Sequence, residues 1–258
     1  MLYDSNATGN GRYLPATLAA EGFGLRQQAA PLVLDRIRPK REWKDSRPTG
    51  RIVGAEVLAV GLGFGVKVSM PGHVCSGMTP QEREAVMSFL PDGEEPKEVL
   101  DLPAGTPILF EGVRVKFYKF GDQKYPRMSV AADSVRAYPG RSDGFPVPGS
   151  YAPSALCKLG VESAVAAGAI LTTVDRWPRY RADGTEVTDE PRGAKATVRA
   201  GGGDLAVKLD GVEPDALRPL VGKPVAVDGL RVSLYKYPNM RYVAMSVQAS
   251  ALDEAEGA

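Results

Sequence analysis

Cysteine and histidine are nearly absent from this sequence, which holds only Cys75, Cys157 and a single histidine, His73. Two cysteines so far apart, with no CxxC spacing, exclude a disulfide framework and read as reduced thiols of a cytosolic protein. His73-Val74-Cys75 supplies half a metal site at most, so these residues read as loop and core and no metal is expected. An excess of one charge is missing too, since 32 Lys and Arg stand against 31 Asp and Glu. Any anionic partner must then be met by a local patch. No stretch approaches the roughly 18 apolar residues of a membrane span, so no membrane partner is expected. The opening MLYDSNATGNGRYLP has neither the basic region nor the apolar run of a signal peptide. Together these absences predict a cytoplasmic protein.

Catalytic machinery is missing as well. Glu111, Asp133 and Asp228 read as edge and turn carboxylates, not as a paired acid and base. Gly61-Leu-Gly-Phe-Gly lacks the Lys-Ser/Thr and the helix that would follow in a phosphate loop, and reads as a strand turn. No nucleophile has a partner beside it. The sequence predicts a protein that is not an enzyme and uses no cofactor.

What the chain does contain is a repeat. Gly105–Val130, GTPILFEGVRVKFYKFGDQKYPRMSV, lies without a gap over Gly222–Val247, GKPVAVDGLRVSLYKYPNMRYVAMSV. Gly105/Gly222, Pro107/Pro224, Gly112/Gly229, Arg114/Arg231, Tyr118/Tyr235, Lys119/Lys236 and Tyr125/Tyr242 are identical, as is the closing Met-Ser-Val. Farther upstream, Tyr13-Leu-Pro resembles Tyr151-Ala-Pro. An internal duplication accounts for both matches, with extra length inside the first copy. A chain of 258 residues, 43% hydrophobic and 24% charged, suits two globular domains that each bury a core.

In chain order, residues 1–12 read as a loose arm. Pro15–Ala30 reads as a short helix, because Gly22 and Gly24 interrupt it. A strand from Pro31 to Ile37 is followed by a polar loop, Arg36–Gly50, and then by strands over Arg51–Val60 and Val66–Met70. Thr79-Pro-Gln-Glu82 carries the signature of a capping box and opens a helix that runs to about Leu90. Strands over Pro107–Phe120 and Tyr125–Ala137 finish the first unit. The second repeats the order: a helix from Ser154, a strand from Ala169, a polar loop over Asp175–Gly193, two strands, a short helix from Pro214 and two final strands. The Pro/Gly-rich stretch 139–153 reads as a linker between a first domain, 1–138, and a second, 154–258. The tail LDEAEGA reads as acidic and disordered.

Strand, strand, strand, helix, strand, strand, with a glycine inside the fourth strand, resembles the OB-fold. The expected class is mainly β: two tandem small Greek-key, OB-like barrels with short helices. Gly112 and Gly229 fall where a barrel strand must bend.

Period-two alternation sorts the repeated strands by face. Val113, Val115 and Phe117 point inward, as do Leu230, Val232 and Leu234. Outward lie Arg114, Lys116, Tyr118, Tyr125 and Arg127 in the first copy, and Arg231, Tyr235, Tyr237 and Tyr242 in the second. The loops after each first strand interleave cations with aromatics: Arg38, Lys40, Arg41, Trp43 and Lys44 in one, Trp177, Arg179, Tyr180 and Arg181 in the other. Cations follow phosphates while flat rings stack on unpaired bases, so the combination points to nucleic acid, and to single-stranded DNA above all. Each residue alone also fits a plainer role, because basic loops are commonly solvated faces and tyrosines suit a pleated surface.

The segments EGVRVKFYKF…MSVAADSVRAY and DGLRVSLYKY…AMSVQASAL resemble the ends of a family of small accessory proteins of actinobacterial plasmids and prophages, activators of replication, integration and excision. The similarity covers the fourth and fifth strands. It implies a DNA-transaction accessory factor, one that could act by touching a recombinase or replication protein. Two other functions stay open on the residues alone: an adaptor whose Tyr, Trp and Arg bind such a partner protein, and a structural component of a phage particle.

Overall fold

The structure, a computed structural model, describes residues 14–44, 47–61, 64–99, 101–118, 126–140, 151–180, 186–187, 191–236 and 243–255. The N-terminal arm, most of the Pro/Gly-rich stretch, Tyr125, Arg181, Tyr237, Tyr242 and Glu256 lie outside these residues. By internal contacts the chain divides into two units: Phe23–Phe117 with Arg127–Ala152, and Met1–Gly22 with Tyr118–Pro126 and Pro153–Ala258.

The protein is mainly β. After helix α1 (Pro15–Ala29) come β1 (Leu32–Lys44), β2 (Arg47–Gly61), β3 (Phe64–Pro71), β4 (His73–Val74), helix α2 (Pro80–Met87), β5 (Lys97–Glu98), β6 (Pro107–Glu111), β7 (Arg114–Tyr118), β8 (Arg127–Ala131) and β9 (Ser134–Ala137). Helix α3 (Pro153–Ala166) then leads into β10 (Ala169–Trp177), β11 (Arg179–Tyr180), β12 (Glu186–Val187), β13 (Gly193–Ala200) and β14 (Gly203–Asp210). Helix α4 (Pro214–Leu217), β15 (Val225–Asp228), β16 (Arg231–Tyr235), β17 (Ala244–Ala249) and β18 (Ala251–Glu254) complete the chain.

The pairing order is that of an OB barrel. In the N-terminal sheet it is β7-β8-β3-β2-β1-β6-β9, with β3 and β8 parallel. β6 and β7 are two halves of one strand, as are β8 and β9, so the sheet's two ends carry halves of the same pair of strands and the ring closes. The C-terminal unit repeats this with β10-β13-β14-β17-β16, the parallel pair being β14 and β17, and with β15 beside β18. A bridge from Ile170 to Pro224 joins β10 to the residue just before β15.

The duplicated glycines acquire reasons here. Gly112 and Gly229 sit at the two bends with φ of 61° and 63°, left-handed backbone that a side chain disfavours. Each faces the kink of the next strand, where Asp133 N–H donates to Glu111 O at 2.9 Å and Ser250 N–H to Asp228 O at 2.8 Å. Gly105 and Gly222 donate to the carbonyls of Leu34 and Leu171, both at 2.8 Å. In both barrels the first strand shifts register just there, between Leu34 and Arg36 and between Leu171 and Thr173. That bulge bends the strand so that it can serve two neighbours.

Apolar residues alternate into each interior. Val57, Val68, Ile108, Val115 and Val130 lie in the N-terminal core, and Leu171, Val198, Val207, Leu209 and Val247 in the C-terminal one. The capping box of α2 is present: Glu82 N–H donates to Thr79 Oγ1 at 3.2 Å, and Thr79 N–H to Glu82 Oε2 at 2.9 Å. Among the described residues no helix is long and apolar enough to cross a membrane.

Three expectations are corrected. Helix α1 runs unbroken through Gly22 and Gly24. Gly22 is required by packing, because a Cβ there would stand 1.9 Å from Leu156 O of α3, and one on Gly160 would meet Leu18 O at 2.2 Å. The polar stretch Arg36–Gly50 is not a loop: it forms the arms of a long β1–β2 hairpin whose ladder reaches Trp43↔Pro48 and Lys44↔Arg47. Backbone pairing, with Thr49 Oγ1 donating to Glu42 Oε2 at 2.9 Å across it, carries a segment with little to bury on either face. The acidic tail is ordered as far as β18, where Val225 pairs with Glu254, Leu252 is buried and Lys223 Nζ lies 2.7 Å from Glu254 Oε2.

Candidate nucleic-acid interface

The outward phase of the repeated strands is as the alternation predicts. Val115, Val130, Leu230 and Val247 are buried, whereas Arg114, Lys116, Arg127 and Arg231 are exposed. Tyr118 and Tyr235 share that outer phase but are half-buried. Trp43 and Tyr180 stand out from the hairpins with 67% and 59% of their surface exposed. Arg38, Arg41, Lys44 and Arg179 are also exposed, on β1 and β11, and Lys40 is half-buried.

Across the outer face of the N-terminal barrel the residues in register are Arg38, Glu56, Ser69 and Ala131, on β1, β2, β3 and β8. Its cations are largely matched. Arg38 donates through Nε and Nη2 to Glu56 Oε2 at 2.9 and 2.5 Å. Arg114 is paired with Asp133. Lys40 donates to Ser69 Oγ, and burial pulls its pKa below the ordinary lysine value, against the opposing pull of Glu56.

The equivalent row of the C-terminal barrel is Asp175, Lys195, Lys208, Gln248 and Arg231. Its charge pattern is reversed. Where the first barrel sets Arg38 against Glu56, the second sets Asp175 against Lys195, and Ser69 gives way to Lys208. Asp133, partner of Arg114, is replaced by Ser250, so Arg231 has no carboxylate partner among the described residues. Three cations share this row with one carboxylate.

Trp177 ends up beneath two of the cations of this barrel. The Arg192 guanidinium lies 4.4 Å and the Lys208 ammonium 5.3 Å from the centre of its ring. Such contacts contribute roughly 0.5–2 kcal/mol, more as they are desolvated. Arg192 Nε is held 3.2 Å from Asp210 Oδ1, and Lys208 Nζ donates to Ser246 Oγ at 3.3 Å. Burial, followed by the charges of Lys195 and Arg192, depresses the Lys208 pKa. Beside this cluster opens a cleft of about 550 Å³ lined by Trp177, Pro178, Arg179, Tyr180, Pro191, Arg192 and Asp210.

Sequence reasoning missed Lys195, Lys208 and Arg192. Their signal was available: in Ala-Lys-Ala-Thr-Val and Ala-Val-Lys-Leu each lysine falls between buried residues and so must face out. Among the described residues no cluster of His, Cys, Asp or Glu could hold a metal ion.

No protein-family profile matches the chain, and no curated protein is significantly similar to it. Among solved structures, a deletion mutant of the single-stranded DNA binding protein from Thermus aquaticus aligns at 15% identity over 88% of this chain and 93% of that one. Its TM-score of 0.20 is too low to define a shared architecture, and the assignment of these barrels stands on their own strand pairing.

Proposed function

We propose that the chain binds single-stranded DNA on the outer sheet faces of its two OB-like barrels, as an accessory factor in a DNA transaction. The observation that carries this reading is the interleaving of cations and rings on equivalent strands. Arg114, Lys116 and Tyr118 on β7 match Arg231, Ser233 and Tyr235 on β16, all in outward phase. The exposed rings of Trp43 and Tyr180 on the first-strand hairpins add stacking surface beside those faces. Sheet faces and hairpins of this kind offer phosphates a positive track and unpaired bases a flat partner. Anisotropy titrations of labelled single- and double-stranded oligonucleotides at several salt concentrations test the reading. A clear preference for the single strand is expected, and equal or absent binding contradicts it.

A second reading rests on the N-terminal barrel alone. Arg38 with Glu56 and Arg114 with Asp133 make that face a mosaic of ion pairs, which suits a protein partner such as a recombinase or replication protein as well as it suits phosphate. Selective loss of DNA binding from substitutions in the C-terminal barrel, with none from the N-terminal one, would favour a divided role.

A further inference from the structure

We propose that the C-terminal barrel holds one phosphate group between Lys195, Lys208 and Arg192 on the outer face of β13 and β14. This deepens the single-strand reading and rests on it. Lys195 and Lys208 are directly opposite each other on antiparallel strands, an arrangement that repels unless an anion sits between or above them. Lys208 and Arg192 both lie against the Trp177 ring, 5.3 and 4.4 Å from its centre, so two cations are positioned around one indole before any ligand arrives. Among the described residues the carboxylates nearby are Asp175, across the ladder from Lys195, and Asp210, which holds Arg192; Lys208 Nζ donates instead to Ser246 Oγ. Ser246 Oγ, already 3.3 Å from Lys208 Nζ, adds a hydroxyl that can donate to a phosphate oxygen. The adjoining cleft, with Tyr180 on its wall, leaves room for the rest of a nucleotide. The equivalent positions of the N-terminal barrel are Glu56 and Ser69, so the same molecule carries a copy of this face without the site.

The phosphate could belong to a strand or to a small free phosphate compound, and the test separates these. In the full chain with Trp43→Phe, which keeps a ring at that position, Trp177 is the sole indole, since the sequence has two. Its emission is followed while oligothymidylate, an abasic deoxyribose-phosphate oligomer or sodium phosphate is added at constant ionic strength. The proposal expects the abasic oligomer to change the emission. It also expects Lys195→Gln and Lys208→Gln each to lower the salt slope of oligothymidylate binding by about 0.7, the share of one phosphate contact on a single strand. Circular dichroism checks that both variants are folded; Lys195 is half-buried at the surface, so its variant stands in should the other misfold. Unchanged slopes with tight oligothymidylate binding overturn the phosphate site and leave the single-strand reading intact. A response to oligothymidylate with none to the abasic oligomer gives Trp177 to base stacking and likewise overturns the site. A response to sodium phosphate alone, lost in Lys208→Gln, upholds the site and overturns the single-strand reading. Silence toward all three overturns both.

Discussion

Lys208 stands directly across the β13–β14 ladder from Lys195, like charge facing like charge. Pairs of this kind cost stability, within the roughly 0.2–1 kcal/mol range of cross-strand pairs. A methionine there relieves the repulsion and the burial of a charge while its thioether keeps contact with the Trp177 ring. Lys208→Met should therefore raise the midpoint of thermal unfolding at neutral pH while weakening oligonucleotide binding, a trade of stability for function. The pH dependence has a definite sign. Folding lowers the pKa of Lys208, so its protonated form opposes folding at any pH below the folded value. As pH rises through that value toward the ordinary lysine range the penalty disappears, and the advantage of Lys208→Met should shrink with it. Thermal melts of both proteins across neutral and alkaline pH measure this.

Gly22→Ala should destabilise the unit containing the C-terminal barrel, because its methyl group would stand 1.9 Å from Leu156 O, a backbone atom that cannot swing aside. Overpacking of this kind costs about 1–3 kcal/mol. Leu18, on the same helix, is fully buried in the C-terminal core, so Leu18→Ala should cost about 2–5 kcal/mol. Chemical denaturation measures both changes, and Gly24→Ala, with no atom within 4 Å of its added Cβ, is the control expected to be neutral or stabilising.

Gly229→Ala should cost roughly 1–2 kcal/mol for its left-handed backbone alone. Its Cβ would also meet Ser250 Oγ at 2.2 Å. Because the bend lets one strand serve both sides of the barrel, hydrogen exchange should quicken on both β15 and β16. Faster exchange in β15 alone would mean that the two halves are not mechanically one strand.

We propose that the stretch 139–153 separates two folding units, and limited proteolysis should cut within it. Residues 14–22 stay on the N-terminal fragment, although Leu18 belongs to the core of the C-terminal barrel. The two fragments should therefore elute together in native chromatography and separate only in denaturant. Fragments that part freely would contradict the role given to α1.

The architecture was legible wherever burial and repetition coincided. Alternation in Val113–Tyr118 and its copy fixed the inward and outward faces, and the repeated Gly112 and Gly229 marked the bends. Legibility failed where tertiary contacts overrule local preference. Gly22 looks like a helix breaker until the Leu156 carbonyl of α3 appears against it. Arg36–Gly50 looks like a loop because its arms bury little and are held by backbone pairing. In the tail, Leu252 is the one strong apolar signal among carboxylates, yet it is what docks the strand. At the candidate interface the basic and aromatic composition of these stretches was visible, but their hairpin form and the pairing of Arg38 with Glu56 were not, because partners so far apart in sequence meet only through strand register.

The central claim is that single-stranded DNA stacks on equivalent rings of the two barrels. It is tested most directly by titrating labelled oligothymidylate into the wild-type chain and into the double variant Tyr118→Ala/Tyr235→Ala, with folding checked by circular dichroism. Stacking contributes about 1–3 kcal/mol per base, so losing both rings should weaken binding by at least about thirtyfold, with the salt slope unchanged because no phosphate contact is removed. A folded double variant that binds as tightly as the wild-type chain would contradict the claim and leave those tyrosines to a protein partner.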